Sequence, residues 1–272
     1  MTTNETTSDE LLVVKMGTAT VTKNDGRLDQ VVLAQVTEEI SELIREQIRV
    51  VLVTSGAVGA GLGLVPEHAR KDVKAYKQAL STIGQPRLMD ALGYHFDAHD
   101  IICAQGLPEE HDFDTDEGRE NMRKTHRDLL HIQEVIGKHI VLVLNANDFV
   151  TFEGFPTDND KLAGLAVRNL EAERKRLVFL TDERGLLGEY PNDNSLISQV
   201  HAGIDDWRQH VVPQTSDNGT GGMDSKCSVA EEVALAGIPA HIGNGKARHA
   251  IRRLLSREDG TIFLPRGYTD ER

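Results

Sequence analysis

Short aliphatic runs recur along this chain, and within each the apolar residues are consecutive rather than alternating. They fall at 11–15, 50–54, 101–104, 139–144 and 177–181, with a weaker run at 238–242 and a last one at 261–264. A strand with one wet face alternates apolar and polar residues, whereas a strand buried on both faces does not. The runs therefore predict a mostly parallel sheet covered on both sides. Helical periods lie between them. In 29–48, Val32, Val36, Ile40, Leu43 and Ile44 form one stripe. In 118–136, Met122, Leu129, Ile132, Val135 and Ile136 form another, with Gly137 placed as a C-terminal cap. Further periods cover 72–94, 160–172, 223–236 and 246–256. Strand alternating with helix reads as an α/β fold with helices on both faces of the sheet. The stretches 105–117 and 183–222 are long enough to be functional loops.

Composition narrows the function. The 272 residues carry 30 Lys and Arg against 43 Asp and Glu, a net charge of −13. That balance disfavours sequence-independent binding of nucleic acid, which needs a basic surface. No apolar run approaches the ~18–20 residues that span a bilayer, so no membrane is expected. Residues 1–10 have neither the basic region nor the apolar stretch of a signal peptide and read as a disordered, solvated tail. Cys103 and Cys227 stand alone, without a disulfide framework or zinc spacing, which fits a reducing cytoplasm. Aromatic residues are only 4%, so the core must be mostly aliphatic.

Ligands of open α/β sheets bind beyond the carboxyl ends of the strands. Here those ends carry Lys15-Met-Gly-Thr18, Thr54-Ser-Gly-Ala57, Asn145-Ala-Asn-Asp148 and Thr181-Asp-Glu-Arg-Gly185. Lys15 is a cation that could hold a phosphate, or an ordinary surface lysine. Gly56, Gly59, Gly61 and Gly63 match neither the dinucleotide fingerprint nor the P-loop. They leave a glycine-rich turn opening a helix, or a flexible turn. The Asn145 to Asp148 and Asp158-Asn159-Asp160 clusters could bind an amino group and orient a lysine, or serve as helix caps. The acidic segment from Asp112 to Gly118 fails the calcium-loop spacing, and no histidine pair has metal spacing. Gly219-Thr-Gly-Gly-Met-Asp-Ser-Lys226 is the most specific signal. Its backbone N–H groups can wrap a triphosphate, and Lys226 can neutralise charge on a transferred group. A lysine in a helix's first turn opposes the helix dipole unless an anion faces it.

In this order and spacing the blocks resemble the amino-acid kinase family. The resemblance runs from about Leu11 to Ile242 and includes Lys77-Gln-Ala-Leu-Ser-Thr-Ile-Gly-Gln85, Thr157-Asp-Asn-Asp-Lys-Leu162 and Leu180-Thr-Asp-Glu-Arg-Gly-Leu186. It implies an αβα sandwich over residues 11–265, with an acceptor-binding N-terminal half and an ATP-binding C-terminal half. It implies ATP-dependent phosphorylation of the γ-carboxylate of L-glutamate, the first step of proline biosynthesis. By the same resemblance Lys15, Lys226 and Asp160 are catalytic, with Asp160 orienting the two lysines. Ser55, Gly56, Asp148 and Asn159 bind glutamate. Lys15, Thr181, Asp182 and the segment Thr220, Gly221, Gly222, Met223, Asp224, Ser225 and Lys226 bind ATP. Mg²⁺ is expected to arrive through ATP, with no metal ligand in the chain. The implied partners are a downstream glutamyl-phosphate reductase and further copies in a homo-oligomer, with no nucleic acid. The C-terminal PUA domain of many relatives is not expected here. Ala146 stands where the family commonly has Glu. Two other readings stay open: an enzyme of this fold with a different acceptor, and a catalytically inactive nucleotide or amino-acid sensor.

Overall fold

The computed structural model describes residues 9–70, 76–150, 158–211 and 222–268. The N-terminal tail to residue 8, the first residues of the expected 72–94 helix, and Thr220 and Gly221 lie outside the described residues.

The aliphatic runs become β1 (Glu10–Met16), β2 (Arg49–Thr54), β3 (Ile101–Gly106), β4 (His139–Leu144) and β5 (Arg174–Thr181). After these come β6 (Gln199–His201), β7 (Ala240–Asn244) and β8 (Thr261–Leu264). They form one eight-stranded sheet in the order β3-β4-β2-β1-β5-β7-β8-β6. Its pairings are parallel except that of β7 with β8.

Consecutive apolar residues are needed because successive side chains enter different layers. Along β1, Leu11 and Val13 belong to one core, while Leu12, Val14 and Met16 belong to the other. β5 repeats the division, Leu177 and Phe179 against Val178 and Leu180. The first layer is closed by α6 (Asn159–Asn169) and α7 (Met223–Leu235). The second is closed by α2 (Gln30–Arg45), α4 (Lys77–Asp97) and α8 (Ala250–Leu255). Each fully buried Leu, Ile or Val contributes about 1.5–3 kcal/mol relative to exposure, so both layers hold the sheet.

Three expectations need correction. The α5 helix (Asp116–Ile136) forms, and Gly137 ends it in the left-handed region at φ 67°. Met122 and Leu129 pack on the first core, but Ile132, Val135 and Ile136 are exposed. The helix packs on β4, next to the β3 edge, where the sheet offers less surface to cover. The stretch 183–222 is not simply loop. It contains β6, two 3₁₀ turns and Trp207, which is buried in the first core. Three residues are too few to show a pattern in sequence. The helix expected from 246 begins only at Ala250, because Gly245 is held to Thr181 and His249 takes a left-handed conformation at φ 55°.

Two short helices follow the strands at the centre of the sheet, α1 (Thr18–Val21) after β1 and α3 (Ala57–Leu62) after β2. The turn after β1 is anchored across the sheet, since the Gly17 N–H and the Thr20 hydroxyl both donate to the Leu180 carbonyl at 3.1 Å.

Candidate active site

Chain direction across the sheet reverses at β1. β2, β4 and β3 lie to one side of it, and β5, β7, β8 and β6 to the other. Loops leaving β1 and its neighbours therefore diverge, which opens a crevice at the carboxyl ends of these strands. Lys15, Ser55 and Thr181 come from the three strands that meet there.

Lys15 shares the parity of Leu11 and Val13, so its side chain enters the layer of α6 and α7. There its Nζ lies 2.6 Å from Asp160 Oδ1, while Lys226 Nζ lies 3.3 Å from Asp160 Oδ2. Asp160 is fully buried and both lysines are nearly so. Lys226 Nζ also donates to the Gly222 carbonyl at 3.3 Å. Burial pushes the Lys15 ammonium below its ordinary pKa, against the opposing pull of Asp160. Burial alone would raise the Asp160 carboxyl, but Lys15 and Lys226 outweigh it and hold it below the usual carboxylate range. Two buried cations sharing one carboxylate make a site that an added anion completes. Charges taken out of water are costly unless paired and hydrogen-bonded.

Asp158 locks this arrangement. Its Oδ1 caps α6 by accepting the Asp160 N–H at 2.8 Å, and its Oδ2 accepts the Ser225 hydroxyl at 2.6 Å. The first turns of α6 and α7, which carry Asp160 and Lys226, are thus tied together. Gly222 is the N-cap of α7, and Met223, Asp224 and Ser225 make its first turn.

On the β2 and β4 side, Asn159 Nδ2 donates to Ser55 Oγ at 3.2 Å and to Asn145 Oδ1 at 2.9 Å. Gly56 caps α3 at φ 107°, and a Cβ there would collide with Val21 Cγ2. Asp148 lies on the loop beyond β4, where burial raises its carboxyl pKa and the charge of Lys77 partly offsets this. On the β5 and β7 side, the Thr181 hydroxyl donates to Asp182 Oδ1 at 3.1 Å, and the Thr181 carbonyl accepts the Gly245 N–H at 2.8 Å. The Asn244 side chain donates to the Asp182 carbonyl at 3.3 Å.

The structure therefore brings Lys15, Asp160 and Lys226 into one cluster, Ser55 and Asn159 into a second beside it, and Thr181 and Asp182 to the neighbouring strand end. Asp158 and Asn145, members of the two polar clusters that the sequence points to, and Lys77 and Gln85, to which the sequence assigns no role of their own, complete these clusters. Each lies inside a motif recognised there, so the available signal was position within the block rather than residue type. Chemically, the buried lysines can neutralise an anionic group placed between the clusters on either side of them.

A model of the amino acid kinase family matches residues 10–244. The glutamate 5-kinase of Chlorobaculum tepidum is 35% identical over 235 residues, which cover 86% of this chain and 63% of that protein. The glutamate 5-kinase of Alkaliphilus oremlandii is 33% identical over 259 residues, covering 93% and 95%. Solved structures share the fold at low identity. UMP kinase from Bacillus anthracis has a TM-score of 0.59 at 14% identity, covering 94% of this chain and 96% of that one. Carbamate kinase from Giardia lamblia, bound to AMP-PNP, has a TM-score of 0.59 at 16% identity, covering 95% and 99%. Among the described residues no helix is long and apolar enough to cross a membrane.

Proposed function

The chain belongs to the amino acid kinase family, and from that premise we propose that it is a glutamate 5-kinase, transferring the γ-phosphoryl group of ATP to the γ-carboxylate of L-glutamate. The observation that carries this reading is the buried cluster in which Lys15 and Lys226 share Asp160 at the carboxyl end of β1.

A γ-carboxyl group with a reference pKa near 4.3 is already ionised at neutral pH. It needs no general base. One carboxylate oxygen bonds to the γ-phosphorus as the bond from that phosphorus to the β,γ-bridging oxygen breaks, and ADP leaves with the electron pair. No proton moves. The barrier lies in bringing two anions into line and in the charge spread over the transferred group. Lys15 and Lys226 oppose that charge from fixed positions, and Asp160 holds them apart on separate oxygens. Ser55, Gly56 and Asn159 would hold the acceptor, with Asp148 receiving its ammonium group. Thr181, Asp182 and the start of α7, with Thr220 and Gly221 before it, would hold the nucleotide. Among the described residues no three His, Cys, Asp or Glu side chains converge as a metal site. Mg²⁺ would enter on the ATP phosphates and supply further charge neutralisation there. The acyl phosphate product is labile and calls for a reductase that consumes it. That reductase, and a homo-oligomeric state, belong to the same proposal.

An acceptor screen with ATP and Mg²⁺, trapping acyl phosphate with hydroxylamine, tests this. Glutamate-dependent ADP release and hydroxamate formation are expected, with aspartate, N-acetylglutamate and UMP poor acceptors. Faster turnover of any of these three would replace glutamate as the substrate.

A further inference from the structure

Gln85 lies on α4, where Gly84 beside it permits a close approach to α3. A Cβ at Gly84 would collide with the Ala57 carbonyl. The approach sets Gln85 Oε1 against Asn145, whose Nδ2 donates to it at 2.7 Å. Asn145 Oδ1 accepts from Asn159 Nδ2 at 2.9 Å, and Asn159 Nδ2 also reaches Ser55 Oγ at 3.2 Å. Asn159 Oδ1 accepts the backbone N–H of Ala146 at 3.0 Å.

Side-chain amides can flip singly, but these three cannot. A backbone N–H only donates, so Asn159 must turn its oxygen to Ala146 and its nitrogen to Asn145 and Ser55. Asn145 must then present its oxygen to Asn159 and its nitrogen to Gln85. Gln85 must answer with Oε1. Reversing any one sets donor against donor. One backbone N–H thus sets the polarity of three side chains. Two consequences follow. Ser55 Oγ accepts from Asn159, so its own hydrogen is free to donate elsewhere. Gln85 Nε2 is left buried, with no partner among the described residues. An unpaired buried donor is costly, and it is tolerated here while Oε1 keeps the relay in register.

We propose that Gln85 is a positioning residue of the acceptor site. The Ala146 N–H sets the polarity of the relay, and Gln85, by accepting from Asn145, fixes the positions of Asn145 and Asn159, so that the Ser55 hydroxyl stays placed as a donor toward a carboxylate oxygen of the acceptor. The choice of glutamate as that acceptor rests on the reading above, while the amide relay does not.

Two variants separate the roles of its two amide atoms. Gln85→Glu keeps an acceptor opposite Asn145, whereas Gln85→Met removes it at similar length. The glutamate variant should keep the acceptor KM within about threefold of wild type. The methionine variant should raise it roughly tenfold, with kcat and ATP KM little changed, because only acceptor binding depends on the relay. In a Ser55→Ala background the methionine substitution should add less than about threefold. Independent multiplication there, or a glutamate variant as impaired as the methionine one, overturns the proposal. Should Gln85→Met not fold, Gln85→Leu, which likewise offers Asn145 no acceptor, takes its place under the same criteria. The side-chain amide signals of Asn145 and Asn159 in ¹⁵N spectra of the ligand-free protein should move in the methionine variant and stay in the glutamate variant. Signals that stay put in both also overturn the relay. This measurement needs no substrate, so a wild type that ignores glutamate sinks the functional reading and leaves the relay to be judged on its own.

Discussion

Ser225 donates its hydroxyl to Asp158 at 2.6 Å, and this one bond joins the first turn of α7 to the cap of α6. Asp160 and Lys226 ride on those two turns, and Asp158 also accepts the Asp160 N–H at 2.8 Å, so one capping carboxylate helps to set the distance between the buried carboxylate and the lysine.

Ser225→Ala should therefore loosen the site as well as the fold. Hydrogen bonds to charged groups contribute about 1.5–3 kcal/mol, and partial exposure places this one at about 1 kcal/mol. Urea unfolding should show that loss, with kcat reduced several-fold, and Ser225→Thr should recover both. A fully stable alanine variant with wild-type kcat would mean that other packing holds α7 in place.

Lys226→Ala should lower kcat by roughly 10²–10³, the scale of removing one preorganised electrostatic contact. ATP KM should change far less, since the backbone at the start of α7 remains. Lys226→Met keeps most of the volume and should be equally impaired. Arginine should not rescue, because a planar fork does not replace a point charge in a buried pair. Steady-state kinetics on the folded variants decides the matter, and a kcat within about twofold of wild type removes Lys226 from catalysis.

His241 and His126 should make the protein sensitive to mild acid. Burial, reinforced by Arg176 and Arg257, pushes His241 down to about 3. Burial, reinforced by Arg49, pushes His126 down to about 4. An unfolded histidine titrates near 6.5, so below that pH the unfolded chain binds protons that the folded one refuses. Stability present above about 6.5 is lost as pH falls toward these lowered values. Each histidine adds a slope approaching about 1.4 kcal/mol per pH unit. Urea unfolding between pH 6.5 and 5 should show the decline, and His241→Gln should remove its share. An unchanged slope in that variant would mean that His241 is charged in the folded protein.

Gly56→Ala meets two obstacles, a left-handed backbone and the Val21 side chain. The backbone part costs about 1–2 kcal/mol and survives any repacking. Val21→Ala should relieve only the collision. The double variant should then be less destabilised than the sum of the two single changes, as read from chemical denaturation. Strict additivity would show that Val21 yields without cost.

Much of the fold is written locally. A residue pair such as Leu11 and Leu12 must be apolar on both sides only if both faces of β1 are covered, so seven residues suffice to announce a buried parallel strand. The same parity sends Lys15 into a chosen layer, and the strand ends mark where ligands can sit. The three residues of β6 carry no such pattern, and the helical period of α5 says nothing about whether Ile132 or Val135 will find a neighbour. Partner choice is where sequence stops. Asp158 looks like any helix cap until α7 brings Ser225 from 67 positions away, and Gln85 like any helical glutamine until it meets Asn145 across 60 positions. Periodicity within a strand or helix is enforced by backbone geometry and burial, which act over neighbouring residues. Which polar groups share a carboxylate or an amide chain is decided only by the order of strands in the sheet and the close packing of helices across it.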